Sequence, residues 1–357
     1  MRGQHKCLDL ASRVEKLLST ADIVSLSETG HKNGDKWIDL PGFRRIACSM
    51  RAHDAEHGGV AVYAKNHIAG RISVVRDLLE YGMVWVKIKG ACCGGSRDIF
   101  MCSCYLPPRG SSYYTREGTN LNLDVHFDML DHCTAEFKAV GEVLIMGDLN
   151  ARTGQADERG STIEPEEWEH AGAPAPMELV HGQGVIQSVA MRSSCDTILD
   201  RDMGERLLNF CRGQGMLILN GRLPGDEIGA HTFHADGRVG SSLVDYFIST
   251  PALTFDEEGK ARAGTYLNVL DMSAVPKRPG GGNFDHAPIT LRISTGGMLR
   301  ASGDKTRDEK QRSNSVQMEG RESGTIRDLP QGRPWSSSVF GEGLLEHKCD
   351  RCRTQPL

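Results

Sequence analysis

No stretch of this 357-residue chain approaches the ~18 uninterrupted apolar residues of a membrane-spanning helix, so no membrane partner is expected. The opening residues, MRGQHKCLDLASRVEKLL, lack a long apolar core and a small-residue cleavage site, which argues against secretion. An excess of basic charge is also missing. The chain carries 42 Lys+Arg against 47 Asp+Glu, a net charge of −5, so it has no global attraction for nucleic acid. That balance leaves room for a local site, because a metal centre concentrates acids. The cysteines form no evident disulfide framework. They number eleven and are scattered, and Cys102 and Cys104 fall within an apparent strand. They read as reduced core residues, which favours cytoplasm or nucleus. Cys349 and Cys352 make a CxxC without a second pair, so a four-ligand zinc site is not expected. What is present is a 39% hydrophobic share, enough for a sizeable core in one large domain or two ordinary ones.

Apolar spacing lays out the elements. Residues 7–18 place Cys7, Leu10, Ala11, Val14, Leu17 and Leu18 at three- and four-residue steps, predicting an amphipathic helix. ADIVSL (21–26) predicts a strand that delivers Glu28 at its end. GGVAVYAK (58–65), MVWVKIK (83–89) and DIFMCSCYL (98–106) predict three more. The last stops at Pro107-Pro108, since proline cannot donate to a sheet ladder, and it leaves Tyr105 near the strand exit. Residues 121–140 show helical spacing at Leu123, Phe127, Leu130, Cys133 or Thr134, and Phe137. Residues 155–191, rich in Gly, Pro, Glu and Ala, read as a long loop or insertion. GERLLNFCRG (204–213) predicts a helix with a glycine stop. Short strands follow at 216–220, 231–234, 242–249, 266–273 and 287–293. Beyond about Ser294 apolar residues thin out, and 296–357 reads as a disordered tail after a domain spanning 1–295.

The stretch VLIMGDLNARTG (143–154) organises the rest. An apolar run ends abruptly in Gly147, Asp148, Leu149 and Asn150, as when a buried strand delivers polar side chains at its C-terminal end. Asp148 and Asn150 are two apart, so in extended chain they point the same way. Read alone, GD and N could equally form a turn. Asp245 sits inside the apolar run 242–249, where an acid is costly unless paired. Asp285 and His286 open the final strand. Strands alternating with helices in two successive halves suggest two sheets packed face to face with helices outside. Their polar ends would converge on one edge. Glu28 and Asp285 could then supply oxygen ligands to Mg²⁺ or Mn²⁺. Asp245 could hydrogen-bond His286 and favour its charged form, and Asp148 could orient a water.

In this order, ADIVSLSET, GGVAVYAK, CYLPP, VLIMGDLNARTG, SLVDYFIS and FDHAPI resemble the endonuclease/exonuclease/phosphatase superfamily over residues 2–294. GDLNARTG, the run from Arg192 to Arg222, and HTF with SSLVDYFI look most like the apurinic-type endonuclease domain of non-LTR (LINE-like) retrotransposons. The resemblance implies an α/β (α+β) four-layer α/β/β/α sandwich of two mixed sheets. It also implies metal binding by Glu28 and Asp285, and phosphate positioning by Tyr105. Asp148 would align a nucleophilic water, Asn150 would contact phosphate oxygens, and Asp245 would orient His286, which stabilises phosphate charge. Substrate contact by Arg152 goes with it. The activity implied is Mg²⁺- or Mn²⁺-dependent nicking of duplex DNA, abasic or at a preferred site, leaving a 3′-hydroxyl and a 5′-phosphate. Lys277 and Arg278 lie in a loop that could touch phosphate. No obligate protein partner is implied.

The chain departs from the pattern in places. Met1-Arg2-Gly3 stands where the family's first strand carries an Asn, so that Asn and most of the strand are expected to be missing and activity reduced. Ser27 replaces the usual Gln before Glu28, and Phe284 the usual Ser before Asp285. No polymerase would fit after residue 294, so a detached endonuclease module is expected. Two alternatives are kept. One is a phosphatase or deadenylase of the same superfamily, against which Ala151-Arg152 follows Asn150. The other is an inactive retroelement remnant that serves as a binding module.

Overall fold

The computed structural model describes residues 15–30, 37, 39–49, 58–78, 81–90, 97–114, 122–159, 188–235, 240–270 and 285–293. The chain divides into one unit spanning Met1–Ala301 and another spanning Ser302–Leu357. The expected tail lies outside the described residues, as do Lys277, Arg278 and most of the helix expected over 7–18.

A six-stranded sheet runs β4-β5-β6-β7-β11-β8: Ile72–Leu78, Met83–Ile88, Asp98–Tyr105, Gly141–Asp148, Asp245–Ser249 and Leu217–Ile218. The β6–β7 pair is parallel and the other pairs are antiparallel, so the sheet is mixed. A parallel pair needs a crossover, and α3 (Leu123–Lys138) supplies it. The Asn122 side chain accepts from the Val125 N–H at 2.9 Å and starts this helix. Its inward face is Phe127, Leu130, Cys133, Thr134 and Phe137, so both residues left open by the spacing are buried. Helix α4 (Met203–Gln214) lies beside it. Its stop is Gly215 in the left-handed conformation, two residues beyond the predicted one.

An antiparallel three-stranded sheet, in the order β1-β3-β2, is built from Ile23–Ser27, Val60–Lys65 and Phe43–Ser49. Strand alternation separates three apolar layers. Trp85, Phe100, Cys102, Cys104, Val143 and Ile145 pack against the helices. Val60, Val62, Ala64, Val84, Met101, Leu144 and Phe247 fill the space between the two sheets. Ala61 and Tyr63, with Leu40, face the other way. The architecture is α/β, with mixed and antiparallel sheets packed face to face and helices covering the larger one. The short helix α1 (Glu15–Thr20) leads into β1, and α2 (Asn66–Ala69) and α5 (Pro251–Thr254) lie between strands. The remaining strands are two-residue β9 (Phe233–His234) and β10 (Ser241–Ser242), and the paired β12 (Tyr266–Val269) and β13 (Ile289–Arg292).

Two strands escape the apolar pattern. β2 reads FRRIACS and carries a bulge between Arg45 and Ala47. β4 is a sheet edge, with Val74 and Val75 exposed. The run 242–249 is also not one strand. It divides into β10 and β11, and Asp245 is the first residue of β11 rather than an acid inside a strand.

Candidate active site

Three neighbouring strands place three side chains in one cross-strand row. Tyr105 pairs with Asp148 across β6–β7, and Asp148 pairs with Asp245 across β7–β11. Tyr105 packs with the core between the sheets. With Leu144 and Phe247 on that face as well, strand alternation puts Asp148 and Asp245 there too. The row therefore opens on the end of the sheet-to-sheet gap. β1, on the facing sheet, ends next to Glu28, whose carboxylate is near enough to the Tyr105 phenol to help raise its pKa.

His286 joins through a different route. Residues 231–235 bridge to 285–287: Phe233 pairs with His286, the His234 N–H donates to the Asp285 carbonyl at 2.7 Å, and the Ala287 N–H to the Thr232 carbonyl at 2.7 Å. His286 Nδ1 then lies 3.0 Å from Asp245 Oδ2. The ligand-capable atoms of Asp148, Asp245 and His286 all fall within 4.8 Å of one another.

The turn after β7 is not extended, so Asp148 and Asn150 do not share a direction by strand alternation. Asn150 adopts φ 47° and folds back. Its N–H donates to Asp148 Oδ1 at 2.9 Å, and its side-chain amide donates to the Leu106 carbonyl at 2.8 Å and to Asp148 Oδ2 at 3.3 Å. Glu28, at φ 51°, is the other non-glycine residue with positive φ among the described residues. It is held there by the Thr29 and Gly30 N–H groups, which donate to the carbonyls of Gly59 and Gly58. Both left-handed non-glycine residues thus belong to this site, where backbone strain tends to collect. Gly147 permits the approach of β7 to β6. A Cβ there would lie 1.8 Å from the Cys104 carbonyl oxygen.

Electrostatics follow from crowding. Burial raises the Asp148 pKa well above the ordinary aspartate value. Repulsion from Asp245 and Glu28 adds to this, while His286 and the Asn150 N–H oppose it. Burial also disfavours the His286 imidazolium. The Asp245 hydrogen bond, together with the charges of Asp245, Asp148 and Asp285, outweighs burial and pushes it up to about 9. Tyr105 is pushed far up by burial and by the Glu28 carboxylate, so it remains a neutral donor.

These donors fit a hard divalent cation. Carboxylates repel one another in a buried pocket, and a cation would relieve that. A protonated imidazole is a poor ligand, which leaves Asp148 and Asp245 as the oxygen donors of the group that the structure brings together, and Glu28 and Asp285 are not part of that group.

Arg152 is engaged elsewhere. Its guanidinium donates twice to Asp196, at 2.9 and 2.6 Å, and Asp196 also accepts from the Leu243 N–H at 3.1 Å. This pair ties the Asn150 turn to the entry of β11. Thr232 and Asn220 went unnoticed in the sequence. The buried Thr232 hydroxyl accepts from the N–H groups of Val244 and Asp245, at 3.1 and 3.0 Å. The Asn220 amide donates to the Asp245 carbonyl at 3.2 Å and accepts from the Phe247 N–H at 3.0 Å. The available signal was a Thr between His231 and Phe233, and an Asn ending an apolar run, both inside the strands expected at 231–234 and 216–220 but outside the shorter strands observed.

The sequence matches no family model and no curated protein. Among solved structures, it is similar in fold to the 3′ phosphatase NExo from Neisseria bound to a product DNA hairpin. That match has 15% identity, covers 79% of this chain and 93% of that one, and has a TM-score of 0.45. It is also similar to the catalytic domain of Xenopus laevis APE2, at 14% identity, 82% and 88% coverage and a TM-score of 0.49. The AP endonuclease LMAP from Leishmania major is similar at 14% identity, 81% and 83% coverage and a TM-score of 0.49. The side chains of this chain, rather than these likenesses, carry the functional reading.

Proposed function

We propose that the chain is a metal-dependent phosphodiester hydrolase of the endonuclease/exonuclease/phosphatase type. Its substrate is duplex DNA, which it nicks to leave a 3′-hydroxyl and a 5′-phosphate. The observation that carries the reading is the row Tyr105–Asp148–Asp245, with His286 charged against Asp245 beside it. In-line displacement at phosphorus needs an oriented water, positive charge at the developing oxyanion and a donor near the phosphate. Asp148 orients the water. His286, held by Asp245, places an imidazolium N–H at the phosphate oxygens. Asn150 and the neutral Tyr105 phenol would be the positioning donors, Asn150 by turning its amide from its present acceptors, the Leu106 carbonyl and Asp148, toward the phosphate oxygens. Glu28 and Asp285 would hold the divalent cation, Mg²⁺ or Mn²⁺, which supplies Lewis-acid stabilisation of phosphate charge when bound. The motif pattern supports a retrotransposon-derived endonuclease as the finer assignment.

The test is a substrate panel with Mg²⁺ and with EDTA: supercoiled plasmid, an abasic duplex and an inositol polyphosphate. Metal-dependent nicking with ends that a polymerase extends supports the reading. Release of phosphate from the inositol polyphosphate without nicking overturns it.

A further inference from the structure

The gap between the two sheets is lined mostly by apolar side chains, and two serines break that lining close to the site. The inward positions of β6 are Ile99, Met101, Ser103 and Tyr105. On β1, Ile23 packs into the same core, and Ser25 follows two residues later on the same face. Ser103 is fully buried. The two hydroxyls share a 2.6 Å hydrogen bond in which either can donate. Ser103 lies two residues before Tyr105, and Ser25 three before Glu28, two residues whose side chains interact electrostatically at the end of the gap.

Apolar contact between sheets is non-directional, so by itself it sets neither spacing nor register sharply. A hydrogen bond does both, and one to two residues of stiff strand carry its position to the strand ends. Two apolar side chains of similar shape would leave the fold about as stable, because such pairs replace a hydrogen bond at little net change. The pair therefore matters for where it puts the strands.

We propose that Ser25 and Ser103 are positioning residues, a hydroxyl tie between the sheets that sets the distance at which Glu28 meets Tyr105 and so the geometry of the metal-binding side of the site. The inference rests on the functional reading above, through Glu28 as a metal ligand and through the nicking kinetics.

The test compares Ser25→Ala, Ser103→Ala and the double variant of the full chain. The readouts are thermal midpoint, Mn²⁺ affinity by electron paramagnetic resonance, and nicking kinetics. Each single variant strands a hydroxyl and lowers the midpoint, and the double variant recovers most of that loss. Mn²⁺ affinity nonetheless stays several-fold weaker in the double variant, and kcat stays about tenfold down with KM within twofold. A double variant that regains wild-type Mn²⁺ affinity along with its midpoint overturns the proposal. Ser25→Thr keeps the hydroxyl and is expected to bind Mn²⁺ as the wild type does. A loss equal to that of Ser25→Ala also overturns it. If the wild type binds Mn²⁺ but nicks nothing, the functional reading fails while the Mn²⁺ comparison still decides the tie.

Discussion

Asp245 holds His286 by a 3.0 Å contact between Oδ2 and Nδ1, and the pair sits beside a second carboxylate, Asp148, with which Asp245 is in register. The charged imidazole is thus stabilised by the acids it neutralises. Its pKa of about 9 is raised above the ordinary histidine value. In metal-free protein this contributes stability that is fully present below the unfolded value near ~6.5 and is lost as pH rises through about 9. Asp245→Asn removes the first partner. Histidine NMR titration in EDTA is expected to show the His286 pKa falling by at least ~1 unit, with the alkaline loss of stability disappearing. An unchanged titration would separate His286 from Asp245.

Glu28 pairs a strained backbone with an exposed side chain, so its contributions can be separated. Glu28→Gly relieves the left-handed conformation and is expected to hold or raise stability, by up to about 1 kcal/mol in urea unfolding. The same change is expected to weaken Mn²⁺ binding about tenfold or more, read by calorimetry. A variant that loses stability instead would show that the contacts of the Glu28 side chain outweigh the strain.

Asn150 behaves differently because its amide is used. Asn150→Ala keeps the unfavourable φ and discards the bonds to Leu106 and Asp148, so a loss of about 2 kcal/mol is expected. Asn150→Gly is expected to recover about 1 kcal/mol of it without restoring nicking. Thermal melts of the two variants check this. Equal stabilities would mean that the turn relaxes out of its left-handed form.

A fully buried ion cluster underpins the turn that follows β7. Arg222 donates to Asp157 and to Glu158, both at 2.5 Å, and Arg159 and the Arg192 N–H also reach Asp157. Burial opposes the Asp157 charge, but these donors prevail and hold its pKa far below the carboxylate range. Arg222→Met leaves Glu158 without its ion-pair partner and Asp157 without one of its two arginines. It is expected to cost about 3–5 kcal/mol, measured by urea denaturation at pH 7. A loss below about 1 kcal/mol would show that Arg159 and Arg192 suffice.

Much of the fold was legible because β3, β5, β6 and β7 carry alternating or continuous apolar runs with clear stops, as at Pro107-Pro108. β2 and β4 were not, since one is interrupted by Arg44, Arg45 and a bulge, and the other is an edge with charged and exposed positions. In the site, strand ends marked Glu28, Tyr105 and Asp148, whose residue types stand out against apolar runs. The cross-strand row itself depends on register between strands nearly a hundred residues apart, which no local pattern encodes. The same holds for the Asp196 partner of Arg152, 44 residues away, and for the hydroxyl of Thr232 under β11. The Asn150 amide does lie beside the Asp148 carboxylate, but a left-handed turn rather than extended geometry brings it there.

Asp148 is the residue on which the account turns, since it is buried, crowded by Asp245 and Glu28, and proposed to orient the attacking water. Asp148→Asn replaces the crowded, buried carboxyl with a neutral amide at nearly constant shape. The deciding measurement is plasmid nicking by this variant in Mg²⁺, made alongside its thermal midpoint in EDTA. The expected result is a midpoint at or above wild type with nicking reduced about 10²–10⁴-fold. A folded Asp148→Asn protein that nicks at the wild-type rate would contradict the account.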